Sequence, residues 1–134
     1  MLAHSISTLP SFLAYLALAL FILAVFLRVY VTVTPYREFA LIREGNLAAA
    51  VSLAGTVIGF ALPVADVIRN SKDLVDLATW SVVACLVQLL VYLAARLTMP
   101  HLAEDIPAGK VASALFLAAL SVGVGLINAA CMQG

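Results

Sequence analysis

Four long uncharged stretches alternate with three short polar joints along this chain. The uncharged stretches are Ser5–Leu27, Gly45–Ala65, Leu77–Ala95 and Val111–Gly134. Each has close to the roughly 20 residues that a helix needs to cross about 30 Å of hydrocarbon. Backbone amides in lipid need hydrogen-bond partners within their own segment, which favours helices over open strands. The pattern therefore predicts an all-α integral membrane protein, with a single domain of four transmembrane helices over residues 1–134.

The distribution of Lys and Arg predicts how these helices are oriented. The polar joints are Arg28–Glu44, Asp66–Asp76 and Arg96–Lys110, and the first and third contain five of the seven basic residues. Cytoplasmic loops retain Lys and Arg. We therefore expect the first and third joints to be cytoplasmic and both termini to lie on the outer side of the membrane.

Four aromatic side chains lie near the ends of the predicted helices. Amphipathic rings suit the headgroup layer of a bilayer, so we expect these side chains to mark the two membrane surfaces. They are Tyr30, Tyr36, Trp80 and Tyr92.

The composition excludes several classes of function. Of the 134 residues, 65% are hydrophobic and 10% are charged, whereas about 25% are charged in an ordinary soluble domain. Seven Lys and Arg balance seven Asp and Glu, so no basic excess favours binding to nucleic acid. The sequence contains no Gly-x-Ser-x-Gly, P-loop, zinc-protease or dinucleotide-binding motif. We therefore expect no enzyme activity, no cofactor and no metal site.

An internal repeat relates the two halves of the chain. A shift of 64 residues without a gap aligns Ile42–Ile68 with Ile106–Met132 and gives nine identities in 27 positions. A composition this rich in Ala and Leu gives roughly three identities by chance. The shift spans two helices, so the repeats, about 12–68 and 76–132, would have the same orientation in the membrane. The sequence therefore predicts two parallel-repeat helical hairpins.

Small residues in the second and fourth stretches predict which helices pack most closely. Lipid supplies no hydrophobic drive between helices, so residues that let two backbones approach mark the interface. The first stretch carries bulky side chains on every side and is predicted to face lipid. The candidate packing residues are Gly55, Gly59, Gly123 and Gly125.

Two short motifs resemble those of a known family. They are Arg43-Glu44-Gly45-Asn46, followed by Ala48-Ala49-Ala50, and the terminal run Gly125-Leu126-Ile127-Asn128-Ala129-Ala130-Cys131-Met132. Together with the four spans, they resemble the YjfL-like family of small bacterial inner-membrane proteins over nearly the whole chain. The resemblance implies an inner-membrane location, an undefined activity and no established catalytic residue. It also implies relatives encoded near membrane-remodelling proteins, ATP-grasp ligases and polyamine enzymes.

Polar side chains inside the predicted spans are candidate site residues, because such groups are costly in hydrocarbon. Gln88 lies near the bilayer middle, where Ser52, Thr56 or a second copy of the chain would supply hydrogen-bond partners. Asp66 lies three residues before Arg69, which predicts an interfacial ion pair. Alternatively, these groups line a small oligomeric channel or transporter for protons, cations or polyamines. The candidate pathway residues are Ser52, Thr56, Asp66, Gln88 and Asn128.

Charged residues in the first and third joints form the largest polar surface that the sequence offers. We expect them to bind a cytoplasmic protein, so the favoured function is a non-catalytic membrane anchor or regulator for cytoplasmic envelope-maintenance proteins. A homo-oligomer is expected as well, because four short helices cannot easily hide every polar stripe from lipid. The candidate docking residues are Arg37, Glu38, Arg43, Glu44, His101, Glu104, Asp105 and Lys110.

Overall fold

The computed structural model describes residues 2–70 and 72–132, and within these ranges the chain forms helices and no strand. The helices are α1 (Leu2–Val33), α2 (Glu38–Arg43), α3 (Leu47–Asn70), α4 (Leu74–Thr98), α5 (Leu102–Asp105) and α6 (Val111–Cys131). Four of them, α1, α3, α4 and α6, are long and apolar enough to cross a membrane. The predicted all-α fold with four transmembrane helices is confirmed. The last two residues of the fourth uncharged stretch, Gln133 and Gly134, lie outside the described ranges.

Three of the membrane helices, α1, α3 and α4, continue past the ends of the uncharged stretches that predicted them. α1 continues six residues past Leu27, and α3 continues five residues past Ala65. Charged side chains near a helix end can reach water without leaving the helix, so the first charge does not end it. α1 and α4 instead end just before Pro35 and Pro100, because proline disfavours helical conformation in the residue before it.

The contact between α3 and α6 is the most extensive in the structure. A Cβ atom added to Gly55 would overlap Ala118, and one added to Gly59 would overlap the carbonyl group of Ser121. These contacts advance in the same direction along both helices, so α3 and α6 run parallel. Small residues allow the two backbones to touch where larger side chains would hold them apart.

Gly123 does not take part in this contact, and its role as a packing residue stays a prediction. A Cβ atom added to Gly123 would meet no atom of the described chain within 4 Å, whereas one added to Gly125 would overlap the Gly59 carbonyl oxygen. Two residues along a helix correspond to about 200° of rotation. Gly123 and Gly125 therefore point to nearly opposite sides of α6, and only Gly125 faces α3.

α1 lies at the edge of the bundle. Only 6% of its most apolar stretch is buried, against 56% for α3. Its C-terminal half makes specific contacts: Phe26 stacks on Phe60 with 4.1 Å between ring centroids, and Tyr30 meets Tyr92 edge-on at 5.7 Å. Large apolar side chains such as Phe21 stay exposed along the rest of the helix. This surface suits contact with lipid, as expected for the bulky first stretch.

Candidate functional site

Two of the predicted pathway residues, Ser52 and Thr56, are buried on α3 with local hydrogen-bond partners. The Ser52 hydroxyl donates to the Ala49 carbonyl at 3.1 Å. The Thr56 hydroxyl lies 3.1 Å from the Ser52 carbonyl and forms a 3.2 Å hydrogen bond with the Tyr30 hydroxyl of α1. Both hydroxyls therefore have partners within the chain, and neither requires a ligand.

Gln88 lies where α3, α4 and α6 meet. Its side chain is 1% exposed, and Nε2 donates to the Ser121 carbonyl of α6 at 3.2 Å. The expected hydrogen bonds to Ser52 or Thr56 are therefore wrong, because Gly59 lets α6 approach and places its backbone nearest the amide. Among the described residues, Gln88 Oε1 has no hydrogen-bond partner.

Asp66 is buried near the end of α3, and its carboxylate lies 3.5 Å from the guanidinium of the exposed Arg69. It also lines a small cavity of about 60 Å³ together with Asn70 and Asp76. Seven residues of helix separate Asp66 from Gly59, which contacts Gln88, and this corresponds to about 10 Å along the axis. The structure therefore does not bring Asp66 to Gln88.

Asn128 is half-buried on α6, and its Nδ2 has no hydrogen-bond partner among the described residues. Of the five candidate pathway residues, Ser52 and Thr56 lie together on α3, whereas Asp66 lies about 10 Å along the helix axis from the level of Gln88. Since the backbones of α3 and α6 touch, a pathway between those two helices of one chain has no room.

The first and third polar joints end in the same type of turn. In each, a glycine with positive φ follows the short helix, Gly45 at +88° and Gly109 at +81°. The Gly45 N–H donates to the Ile42 carbonyl and the Asn46 N–H to the Leu41 carbonyl, both at 2.9 Å, and the matching bonds around Gly109 measure 3.0 Å. This pair of bonds is the Schellman motif, which favours glycine in the left-handed conformation.

These two turns occupy matching positions in the predicted repeat. α5 begins 64 residues after α2, and α6 begins 64 residues after α3. The short helix, the turn and the following membrane helix therefore recur in the same order. The duplication into two parallel hairpins stays a prediction.

The side chain of Asn46 ties the two joints together. Its Nδ2 donates to the carbonyls of Ile106 and Pro107, both at 3.1 Å, and its Oδ1 accepts from the Ala49 N–H at 3.0 Å. One residue therefore caps the N-terminus of α3 and bridges to the turn after α5. The joints lie next to each other at one end of the bundle. We call their exposed charged surface the α2–α5 face; it comprises Arg37, Arg43, Glu44, His101, Glu104 and Lys110.

Hydrogen bonds and ion pairs organise the α5 side of this face. Lys110 Nζ lies 3.5 Å from Asp105, whose other carboxylate oxygen accepts from the Ser113 hydroxyl at 2.8 Å. The Ser113 hydrogen bond, helped by Lys110, lowers the pKa of the Asp105 carboxyl below its ordinary value. His101 and Glu104 lie 3.6 Å apart with both side chains in water, where such pairs contribute little to stability.

Glu38 is not part of the α2–α5 face, so its assignment as a docking residue is wrong. Its side chain is 1% exposed, and Oε1 accepts from the Thr34 hydroxyl at 2.5 Å. α2 turns this side chain toward the membrane helices while Arg37 and Arg43 stay exposed. Burial raises the pKa of the Glu38 carboxyl, and the Thr34 hydrogen bond opposes part of that effect.

Three of the four aromatic residues expected in the headgroup layer are buried instead. Tyr30, Tyr36 and Tyr92 pack together beside Glu38, and only Trp80 is exposed. Burial raises the pKa of the Tyr36 phenol. Proximity to a helix end does not determine which side of the helix a ring occupies. The spacing of Gln88 and Tyr92, one helical turn apart, is the sequence signal that places both on the buried face of α4.

Comparison with known proteins agrees with the four-span architecture. Residues 3–132 match the family described as Domain of Unknown Function (DUF350). The chain belongs to this family. The inner membrane protein YjfL of Escherichia coli (strain K12) is 33% identical over 129 residues, which cover 96% of this chain and 98% of that protein. The transmembrane protein YshE of Bacillus subtilis (strain 168) is 28% identical over 119 residues, which cover 87% and 89%. No solved structure matches the chain.

Membership of the DUF350 family confirms the resemblance to YjfL-like proteins. Both relatives are membrane proteins by name, and four apolar helices make this chain a multi-pass membrane protein. The family description names no activity. The polar interior and the α2–α5 face are the features of this DUF350 member that indicate a function.

Proposed function

We propose that this protein is a non-catalytic inner-membrane component that anchors or regulates a cytoplasmic protein through the α2–α5 face. The observation that carries the proposal is the Asn46 bridge, which joins two segments 60 residues apart in sequence into one surface. Exposed loops without such a bridge would move independently. A fixed arrangement of charges is what selective recognition of a protein partner requires.

The charges on this face support a protein partner. Arg37 and Arg43 lie on the α2 side, whereas His101 and Glu104 lie on the α5 side with Lys110 beyond them. Both signs are present, which favours recognition of a complementary mixed surface over attraction to a uniformly anionic one. The excess of Lys and Arg in these joints supports a cytoplasmic location, and the name of the Escherichia coli relative supports the inner membrane.

Site-specific photocrosslinking in native membranes tests this proposal. A photoreactive amino acid replaces Arg43 on the α2–α5 face or, as the matched control, the exposed Lys72 at the opposite end of the bundle. We expect a crosslinked cytoplasmic protein from position 43 and none from position 72. Neutralising Arg37, Arg43 and Lys110 together should then abolish binding of that identified partner. Equal crosslinking at both positions, or crosslinks to lipid alone, would contradict the proposal.

A second candidate function is a small oligomeric channel or transporter for protons, cations or polyamines. It is favoured by two amide atoms, Gln88 Oε1 and Asn128 Nδ2, which lack hydrogen-bond partners within the described residues. Flux through liposomes separates the two functions. Transport that Gln88→Leu or Asp66→Asn abolishes would support the channel, whereas a preparation that binds its partner without flux would support the anchor.

We also propose a homo-oligomer, and one polar residue of α6 now supports it in place of the three polar stripes expected from the sequence. The polar stripes of α3 and α4 are hidden within one chain, since Ser52, Thr56, Ser81 and Gln88 are all buried. Asn128 on α6 stays partly exposed, and a second copy would cover it. Native mass spectrometry in mild detergent tests this point. A mass that drops to one chain in Asn128→Leu would support it, and a wild-type protein of one chain only would refute it.

A further inference from the structure

Glu38 lies in a buried group of polar side chains that the proposed function does not use. The Glu38 cluster comprises Glu38 of α2, Thr34 and Tyr36 of the preceding turn, Tyr30 of α1 and Tyr92 of α4. All five side chains are buried. The Thr34 hydroxyl donates to Glu38 Oε1, and the carboxyl is close enough to all three phenols to interact with them electrostatically.

Three polar atoms in this cluster lack a hydrogen bond of good geometry among the described residues. They are Glu38 Oε2 and the hydroxyls of Tyr36 and Tyr92. The two phenols lie near each other, yet neither satisfies the carboxyl oxygen. A buried carboxylate with one donor and an unsatisfied oxygen is strongly disfavoured unless a cation or a proton neutralises it.

The charged groups around the cluster do not supply that cation. Arg96 on α4 is exposed and acts on Tyr92. Arg37 and Arg43 are exposed and line an open cavity of about 260 Å³ that Glu38 also borders. Within the described residues, Glu38 forms no ion pair with any of them. A proton on the carboxyl is therefore the remaining way to neutralise it within this arrangement.

We propose that Glu38 is a proton-binding site, and that its protonation holds α2 against the membrane helices. In the protonated form, Oε1 accepts from Thr34 and the proton removes the negative charge from the buried Oε2. Loss of this proton to water leaves a buried carboxylate anion. α2 has only six residues, so it can rotate as a unit and bring the carboxylate to water. Burial raises the pKa of this carboxyl, which favours the protonated form.

This inference goes beyond the proposed docking function and does not require a partner. α2 lies next to Arg37 and contains Arg43, so its movement would also rearrange half of the α2–α5 face. The two proposals nevertheless fail separately. The test below detects the proton and the position of α2 in the purified protein, whereas the crosslinking experiment detects a partner in membranes.

Infrared titration of the protein in lipid tests the site. We expect a carbonyl band of a protonated carboxylic acid that persists above the ordinary pKa of 4.5, disappears as the pH is raised further and is absent from Glu38→Gln. The matched control Glu44→Gln, six residues away and exposed, should keep the band. Thr34→Val removes the hydrogen bond that lowers the pKa, so its titration midpoint should move to higher pH.

Hydrogen exchange of residues 38–43 then reports the movement of α2. Wild type should exchange faster than Glu38→Gln, by a margin that grows as pH rises from 4.5 to the titration midpoint and stays constant above it, each pair being compared at the same pH. The proposal is overturned if wild type shows no acid band that Glu38→Gln removes, or if the exchange of the two proteins does not diverge. A band that disappears on addition of sodium at constant pH would also overturn it, because the site would then bind a metal cation.

Discussion

The carbonyl oxygen of Gly59 occupies the position that a Cβ atom on Gly125 would need. Pro63, four residues after Gly59, has no N–H to donate, so this carbonyl lacks its usual partner in α3. Its oxygen points at the Cα of Gly125 instead, which is the arrangement of a weak Cα–H···O contact between helices. Pro63 of α3 therefore frees the Gly59 carbonyl for this contact, and the missing side chain of Gly125 in α6 leaves room for it.

Gly125→Ala should destabilise the protein by about 1–3 kcal/mol, because the added methyl group forces two backbones apart. Thermal unfolding followed by circular dichroism in detergent measures the change. The matched control is Gly123→Ala on the same helix, where the methyl group meets open space and the effect should stay within about 0.5 kcal/mol. Equal destabilisation by both substitutions would show that the α3–α6 contact does not determine the result, since helix propensity favours Ala over Gly at both positions.

Gly123 and Gly125 show which part of the helix packing can be predicted from the sequence. Charge-free stretches are enough to predict four spans, since the bilayer requires length and apolarity and little else. Small residues also mark α3 and α6 as helices suited to close packing. The rotation of α6 about its axis is set by contacts with two neighbours at once. The small-residue pattern alone cannot distinguish Gly123 from Gly125.

The burial of Glu38 could not be predicted from the sequence pattern. Glu38 lies between Arg37 and Arg43 in a polar joint, where charged side chains are expected to be exposed, and Arg37 is exposed. The direction of α2 depends on the turn at Thr34–Tyr36 and on the tyrosines of α1 and α4. Those tertiary contacts bury one side of a helix that is too short to show a period of its own.

Substitutions at Asn46 should separate its two roles. Asn46→Ala removes the cap of α3 and the bridge to the turn after α5, so we expect a loss of about 1–2 kcal/mol in unfolding free energy. Asn46→Asp keeps an acceptor for the Ala49 N–H but loses both donors to Ile106 and Pro107. It should retain most of the stability while amide exchange in residues 102–110 increases. Unchanged exchange in both variants would mean that the joints are held together by other contacts.

Gln88→Leu should change stability by less than about 1 kcal/mol. The substitution removes one hydrogen bond to the Ser121 carbonyl, and such bonds average about 0.6 kcal/mol in membranes. It also removes Oε1, a buried acceptor without a partner among the described residues, which offsets part of that loss. Unfolding in detergent tests this value. A loss of several kcal/mol would indicate that the amide has a second, stronger partner such as a bound water or another chain.

The pKa of Asp105 should rise toward its ordinary value of 3.8 in Ser113→Ala, because the Ser113 hydrogen bond is the main cause of the lowered pKa. Carboxyl ¹³C shifts measure the change, and Lys110→Gln should give a smaller rise. A carboxyl whose pKa is lowered in the folded state stabilises the protein above the unfolded pKa. That contribution is lost as pH falls below 3.8 through the folded value, so Ser113→Ala should weaken this acid-dependent loss.

Glu38→Gln should make the protein more stable at neutral and alkaline pH and leave it unchanged in acid. The pKa of Glu38 is raised in the folded state, so between its ordinary value of 4.5 and the folded value the native protein binds more protons than the unfolded chain. Stability therefore falls as pH rises through this window and reaches a constant, lower level above it. Glutamine keeps the shape and the neutral charge, so the variant should not follow that fall. Unfolding measured across pH, with Glu44→Gln as the exposed control, tests the sign. If wild type and Glu38→Gln change in parallel from acid to alkaline pH, the Glu38 carboxyl titrates normally and is not the buried acid described here.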